Sequence, residues 1–95
     1  MSDPSVLVLA SLADRDKHGY AMMEDIESFA GIRLGPGTLY GAITRLEQRG
    51  WIKAVDSPDR RQPYTLTAAG RRHLEQEMST LAQVLKAAAR RLNLA

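Results

Sequence analysis

Ninety-five residues, 44% hydrophobic and 25% charged, suit one small folded domain and are too few for two. The absence of cysteine excludes a disulfide framework and any thiolate metal site. His18 and His73 have no carboxylate spacing that suggests a metal, so neither metal nor cofactor is expected.

The net charge of +2 is unevenly spread. Residues 1–30 carry six acids against Arg15 and Lys17, residues 31–65 six bases against Glu47, Asp56 and Asp59, and residues 66–95 five bases against Glu75 and Glu77. An acidic start followed by a basic middle suggests one face meant for a polyanion, although a normally mixed solvated surface gives a similar tally. The apolar run Val6 to Ala13 is too short to span a bilayer. It also lacks the basic flank of a secretory signal, so a cytosolic location without membrane contact is expected.

In chain order, Asp3-Pro4 has the form of an N-cap followed by proline at the first helical position. The helix that follows is apolar on nearly every side, which predicts cover from its own domain and from something else. Asp14 to Lys17 reads as a polar connection. His18-Gly19-Tyr20 opens a second helix to about Ala30, with Met22, Ile26 and Phe29 on its core stripe and Gly31 as C-cap. Gly35-Pro36 starts a third helix, and Gly50 ends it after Arg49. Trp51 to Val55 and Tyr64 to Leu66 are β-prone, and they bracket the polar tip Asp56 to Pro63, which predicts a hairpin with a basic loop. Thr67 caps a last helix to about Leu92.

The expected fold class is therefore mostly α with a small β-hairpin. A winged helix–turn–helix spans residues 1–66, and a C-terminal dimerisation helix spans residues 67–95 of the same structural unit. In that arrangement the third helix enters the major groove and the hairpin wing touches the flanking backbone or minor groove. On the third helix Leu39, Ile43 and Leu46 form the apolar stripe. The opposite side presents Gly37, Thr38, Gly41, Thr44, Arg45 and Gln48, with Glu47 placed round toward the core. Small residues let a helix approach base edges, Thr and Gln can read them, and Arg can read guanine or hold phosphate. A solvated face with no such role would usually include acids. Arg60 and Arg61 at the wing tip are the candidate backbone or minor-groove contacts.

In the last helix Leu74, Met78, Leu81, Leu85, Ala88 and Leu92 form a heptad seam with spacings of 4, 3, 4, 3 and 4. The seam could belong to an ordinary amphipathic helix, but it outreaches a core this small. Association into a homodimer through it and through Leu7 of the first helix is expected.

Several ordered segments carry a family resemblance: His18-Gly19-Tyr20, Pro36 to Tyr40, Arg45-Leu46-Glu47 with Gly50-Trp51-Ile52, and Arg60-Arg61 with Tyr64 to Arg71. At this spacing the set closely resembles the PadR family of transcriptional regulators, in the small subtype with one short C-terminal helix. The resemblance implies double-stranded DNA as partner, dimerisation through the C-terminal and first helices, and usually repression. It places Tyr20 and Tyr40 at positions that lie at the DNA backbone, Trp51 at an apolar position, and a phenolic or hydrophobic effector among the possible ligands. Gly35, Ala21 and Pro63 depart from the residues usual in the family.

An enzyme is not expected, because no serine sits in a nucleophile elbow and neither histidine has a nucleophile or orienting acid beside it. The alternative is a winged helix whose basic face meets an acidic protein. The Gly/Thr-rich third helix argues against it, since protein interfaces favour aromatic and aliphatic anchors.

Overall fold

The computed structural model describes residues 3–94 as four helices and a small three-stranded antiparallel sheet. Helix α1 (Pro4–Leu12) starts as its first residues dictate: the Asp3 carboxylate accepts from the Ser5 N–H at 2.9 Å, and Pro4 needs no donor. Helix α2 (Gly19–Ala30) stops at Gly31, whose φ of 68° makes the left-handed cap that glycine adopts without strain. Helix α3 (Pro36–Gln48) follows Gly35, and α4 (Ala68–Arg91) follows Thr67, whose hydroxyl accepts from the Gly70 N–H at 3.0 Å.

The sheet has one strand more than the expected hairpin. Strand β1 (Lys17–His18) pairs with β3 (Pro63–Leu66), which also pairs with β2 (Ile52–Ala54), giving the order β1-β3-β2. The central strand opens on a proline, which is tolerated at a first strand position because one missing donor ends the ladder there.

The core joins Val8, Leu9 and Leu12 of α1, Met22 and Ile26 of α2, Leu39, Ala42, Ile43 and Leu46 of α3, Ile52 of β2 and Leu74 of α4. Two residues expected at a dimer contact, Leu7 and Leu74, are 8% and 7% exposed and pack into this core. Helix α1 is covered mostly by its own chain, because α2, α3, α4 and β3 all touch it. Pro4, Ser5, Val6 and Ala10 remain partly open, and Asp3 and Ala13 at its two ends are exposed. Phe29 shows the opposite difference. It lies on the core stripe of α2, but the core ends before that last turn and leaves it 51% exposed.

Beyond Leu74 the remaining turns of α4 leave the domain, and the molecule is 53 Å long against 26 and 20 Å across. Met78, Leu81, Val84, Leu85 and Leu92 are 48–69% exposed along that projecting helix. A row of large apolar side chains in water is the signature of a surface meant to be covered.

The connection after α1 is more than polar filler. Lys17 is buried, and its ammonium meets the Ser11 carbonyl, the Asp14 carboxylate at 2.5 Å and the Asp25 carboxylate at 3.7 Å. The buried Ser11 hydroxyl donates to the same Asp25 at 2.7 Å. These bonds tie the end of α1 to α2 and β1. The hydrogen bond from Lys17 holds the Asp14 carboxyl below its usual value. The stability this lends is present above the ordinary carboxylate range and is lost as pH falls through the lowered value. Lys17→Met removes the donor and leaves the Ser11 carbonyl without it. A loss of about 1–3 kcal/mol is expected, read as a lower urea midpoint at neutral pH.

Candidate nucleic-acid interface

Helix α3 is amphipathic because its apolar residues recur every three or four positions, and burial of that stripe fixes which side faces water. Leu39, Ala42, Ile43 and Leu46 face the core, leaving Gly37, Thr38, Tyr40, Thr44, Arg45 and Gln48 exposed and Gly41 half-buried. Glu47 is exposed as well, a quarter turn from the core and not against it.

Two of these side chains are arranged in ways that spacing does not show. The Thr44 hydroxyl donates to the Tyr40 carbonyl at 2.9 Å. With its proton engaged, Thr44 offers lone pairs and a methyl group outward, which suits a base donor or a thymine methyl. Arg45 lies on the flank of α3, where its guanidinium passes over Gly41: a Cβ built there would be 3.5 Å from Nη1. It also borders a second cleft of about 340 Å³, with Arg49, Trp51, His73 and Glu77. In that cleft the Trp51 indole stacks on His73 with centroids 3.6 Å apart and planes 12° off parallel. The Arg49 guanidinium sits 5.2 Å from the Trp51 ring centre. Trp51 packs against the core from the end of α3, and His73 is its cover.

Around the start of α2 the fold gathers the other candidates. The Tyr40 ring crosses from α3 onto Gly19, where any Cβ would lie 2.4 Å from its hydroxyl oxygen. This close approach explains the glycine between His18 and Tyr20. Tyr20, Tyr40, Tyr64, Arg60 and Arg61 line one cleft of about 290 Å³ with His18 at its base. Tyr20 and Tyr40 are 55% and 48% exposed. Burial pushes the Tyr64 phenol above its usual value, and the nearby Glu47 and Tyr40 add to this, so its hydroxyl keeps its proton. At the wing, the Gln62 amide donates to the Val55 and Pro63 carbonyls at 2.8 Å each, which closes the base of the loop. Arg60 and Arg61 remain exposed above it.

Tyr20, Tyr40, Arg60 and Arg61 thus share one cleft, and Gly37, Thr38, Thr44 and Gln48 are exposed on α3, the helix that carries Tyr40. Arg45 passes over Gly41 on that helix and also borders the second cleft. From the sequence, His18 reads as structural at a helix start, with a pH-sensing or phosphate role as the alternative. Its Nδ1 accepts from the Ala21 N–H at 3.3 Å as the cap of α2, and its Nε2 lies 3.2 Å from Arg61 Nη1. Position before a glycine at a helix start was the available signal for the cap. Nothing local foretold the wing contact, which spans 43 residues.

Comparison with known proteins agrees with this architecture. The model of the transcriptional regulator PadR-like family matches residues 8–76. An uncharacterised 37.1 kDa protein from a transposon of Streptomyces fradiae is 45% identical over 83 residues, covering 87% of this chain and 24% of that protein. The chain therefore spans about a quarter of that relative. A transcriptional regulator of Mycobacterium tuberculosis is 34% identical over 83 residues, covering 83% of this chain and 76% of that one. Among solved structures, a PadR family transcription regulator from Clostridium difficile superposes with a TM-score of 0.86 at 26% identity, covering 94% of this chain and 97% of the other. With the matched segment taking in the winged helix and the start of α4, the chain belongs to the PadR-like family of transcriptional regulators.

Proposed function

We propose that this chain is a sequence-specific DNA-binding regulator. In this reading it works as a homodimer on an inverted repeat and represses transcription by occupying that site in the cytosol. The observation that supports it best is the exposed face of α3 together with the wing cleft, which Tyr40 of α3 lines. Together these combine small and hydrogen-bonding side chains on α3 with two tyrosines and two arginines, and no carboxylate lines the cleft. Thr38, Thr44 and Gln48 are assigned to base edges, with Arg45 reaching in from the flank. Tyr20, Tyr40, Arg60 and Arg61 are assigned to the backbone or minor groove. The α3 helix start adds free N–H groups for a phosphate. The exposed stripe of α4 supplies the dimer contact, and a two-fold dimer requires half-sites about 10 bp or a multiple apart.

The test is a salt titration on a selected duplex and on a scrambled one. Replacing both wing arginines by alanine removes up to about four phosphate neutralisations per dimer. The slope of log K against log salt should flatten by at most about 3.6 units, equally on both duplexes. Thr44→Ala should instead weaken the selected duplex more than the scrambled one, by about 1–3 kcal/mol. An unchanged salt slope in the wing variant removes the wing from the DNA contact. Wild-type protein that does not discriminate between the duplexes at any salt concentration overturns sequence-specific binding. It favours the protein-interaction alternative instead.

A further inference from the structure

We propose that His18 is a positioning residue, a proton-linked latch that holds wing Arg61 against the start of α2 and releases it when DNA is engaged. This goes beyond the DNA-binding reading and rests on it. A neutral imidazole has one N–H and one lone pair. Here both ring nitrogens face donors: Nδ1 faces the Ala21 N–H at 3.3 Å and Nε2 faces Arg61 Nη1 at 3.2 Å. With the lone pair on Nδ1, α2 is capped and the Nε2 hydrogen abuts the arginine. With the lone pair on Nε2, Arg61 is held and the Ala21 N–H is left without its cap. Neutral His18 can satisfy one of the two contacts at a time, so the wing and the helix start compete for it.

Protonation removes both acceptors and sets an imidazolium beside a guanidinium. The groups around the ring do nothing to offset that charge. They are Tyr20 from α2, Tyr40 from α3, Tyr64 from β3, and Arg60 and Arg61 from the wing. Lys17, on the same strand as His18, has its ammonium turned to Ser11 and Asp14. Glu47 of α3 acts on Tyr64 but does not line the cleft, and Asp16, two residues before His18, is exposed outside it. A backbone phosphate entering the cleft would accept from both imidazolium and guanidinium. A phosphate in the cleft favours charge on His18 relative to the free protein, so DNA binding takes up a proton. Affinity should be greatest at low pH and fall as pH rises through the range where imidazoles titrate.

The experiment measures affinity for a selected duplex between about pH 6 and about pH 8 at fixed ionic strength, since this is the window of histidine titration. Wild type should weaken with rising pH, by at most about tenfold per pH unit for each subunit engaged. His18→Asn keeps a capping oxygen but has no proton to gain, so its profile should be flat. His73→Asn should keep the wild-type profile. A flat wild-type profile, or a wild-type slope in His18→Asn, overturns the latch. A second readout uses the free protein, where the Ala21 amide and Arg61 side-chain NMR signals should shift in step with the His18 ring. Independent shifts overturn the latch even if DNA binding stands. Coupled shifts in a protein that binds no DNA leave the His18–Arg61 coupling in place and overturn its release by DNA along with the DNA-binding reading.

Discussion

Replacing Leu81 and Leu85 together by Asp is expected to give a folded monomer that has lost tight DNA binding. Both side chains stand in water on the projecting part of α4, 48% and 69% exposed, and neither belongs to the core. The winged helix is held by residues up to Leu74, so the substitutions leave its packing intact. In a two-fold dimer each position is buried twice, once per subunit, and burying a leucine contributes roughly 1.5–3 kcal/mol. Four carboxylates in that seam reverse the gain and add desolvation and mutual repulsion. Light scattering at micromolar concentration should show half the wild-type mass. Circular dichroism should keep most of the helical signal, with some loss where the tip of α4 no longer has a partner. Engaging two half-sites through one linked body raises overall affinity by about 100-fold or more, and the monomer forfeits that factor. Wild-type protein that is already monomeric, or a double variant that remains dimeric, overturns the seam.

The helices could be read from the sequence because their signals are local. Asp3-Pro4, Gly31, Gly35-Pro36 and Thr67 each act within a few residues, and each marks a helix end in the structure. The polar face of α3 was legible for the same reason, since the periodicity of Leu39, Ile43 and Leu46 fixes what lies opposite. Features that depend on distant partners were not legible. Strand β1 has two residues and exists because β3 lies beside it. Lys17 reads as one charge in a polar loop, yet three groups from α1, its following turn and α2 bury it. The heptad spacing of α4 runs unbroken through Leu74 and Met78, and only the packed domain shows that the core ends between them. At the candidate site, the wheel shows Arg45 on the exposed side of α3 but not that its side chain also borders the cleft with Trp51 and His73. The parts of His18 and of Gly19 depend on Arg61 and Tyr40, which are remote in sequence.

Gly70 presents the same problem in its sharpest form, and Gly70→Ala is expected to be the most destabilising single-methyl change in the winged helix. Where β2 begins, the Trp51 carbonyl accepts from the Thr67 N–H at 3.0 Å, and the Thr67 hydroxyl donates to the Gly50 carbonyl at 2.6 Å. These bonds draw the start of β2 down onto the first turn of α4. A Cβ at Gly70 would lie 2.0 Å from the Trp51 carbonyl oxygen, 2.8 Å from its carbon and 2.9 Å from a Leu66 methyl. Two of those three atoms are backbone, so no rotamer change relieves the overlap. Either the Thr67–Trp51 bond opens or α4 tilts away and uncovers Leu74. Overpacking of this kind usually costs about 1–3 kcal/mol, and backbone overlap places it at or above about 3 kcal/mol. In a domain of this size that lowers Tm by at least about 12 °C. Gly41→Ala serves as the comparison, because its Cβ would meet Arg45 Nη1 at an ordinary 3.5 Å inside α3. There, relief of the helical glycine penalty should leave stability unchanged or raise it by up to about 1 kcal/mol. Thermal melts of the two variants beside wild type decide the matter. A Gly70→Ala melt within a few degrees of wild type would mean that the contact between β2 and α4 is slack and that Gly70 is not held by the Trp51 backbone.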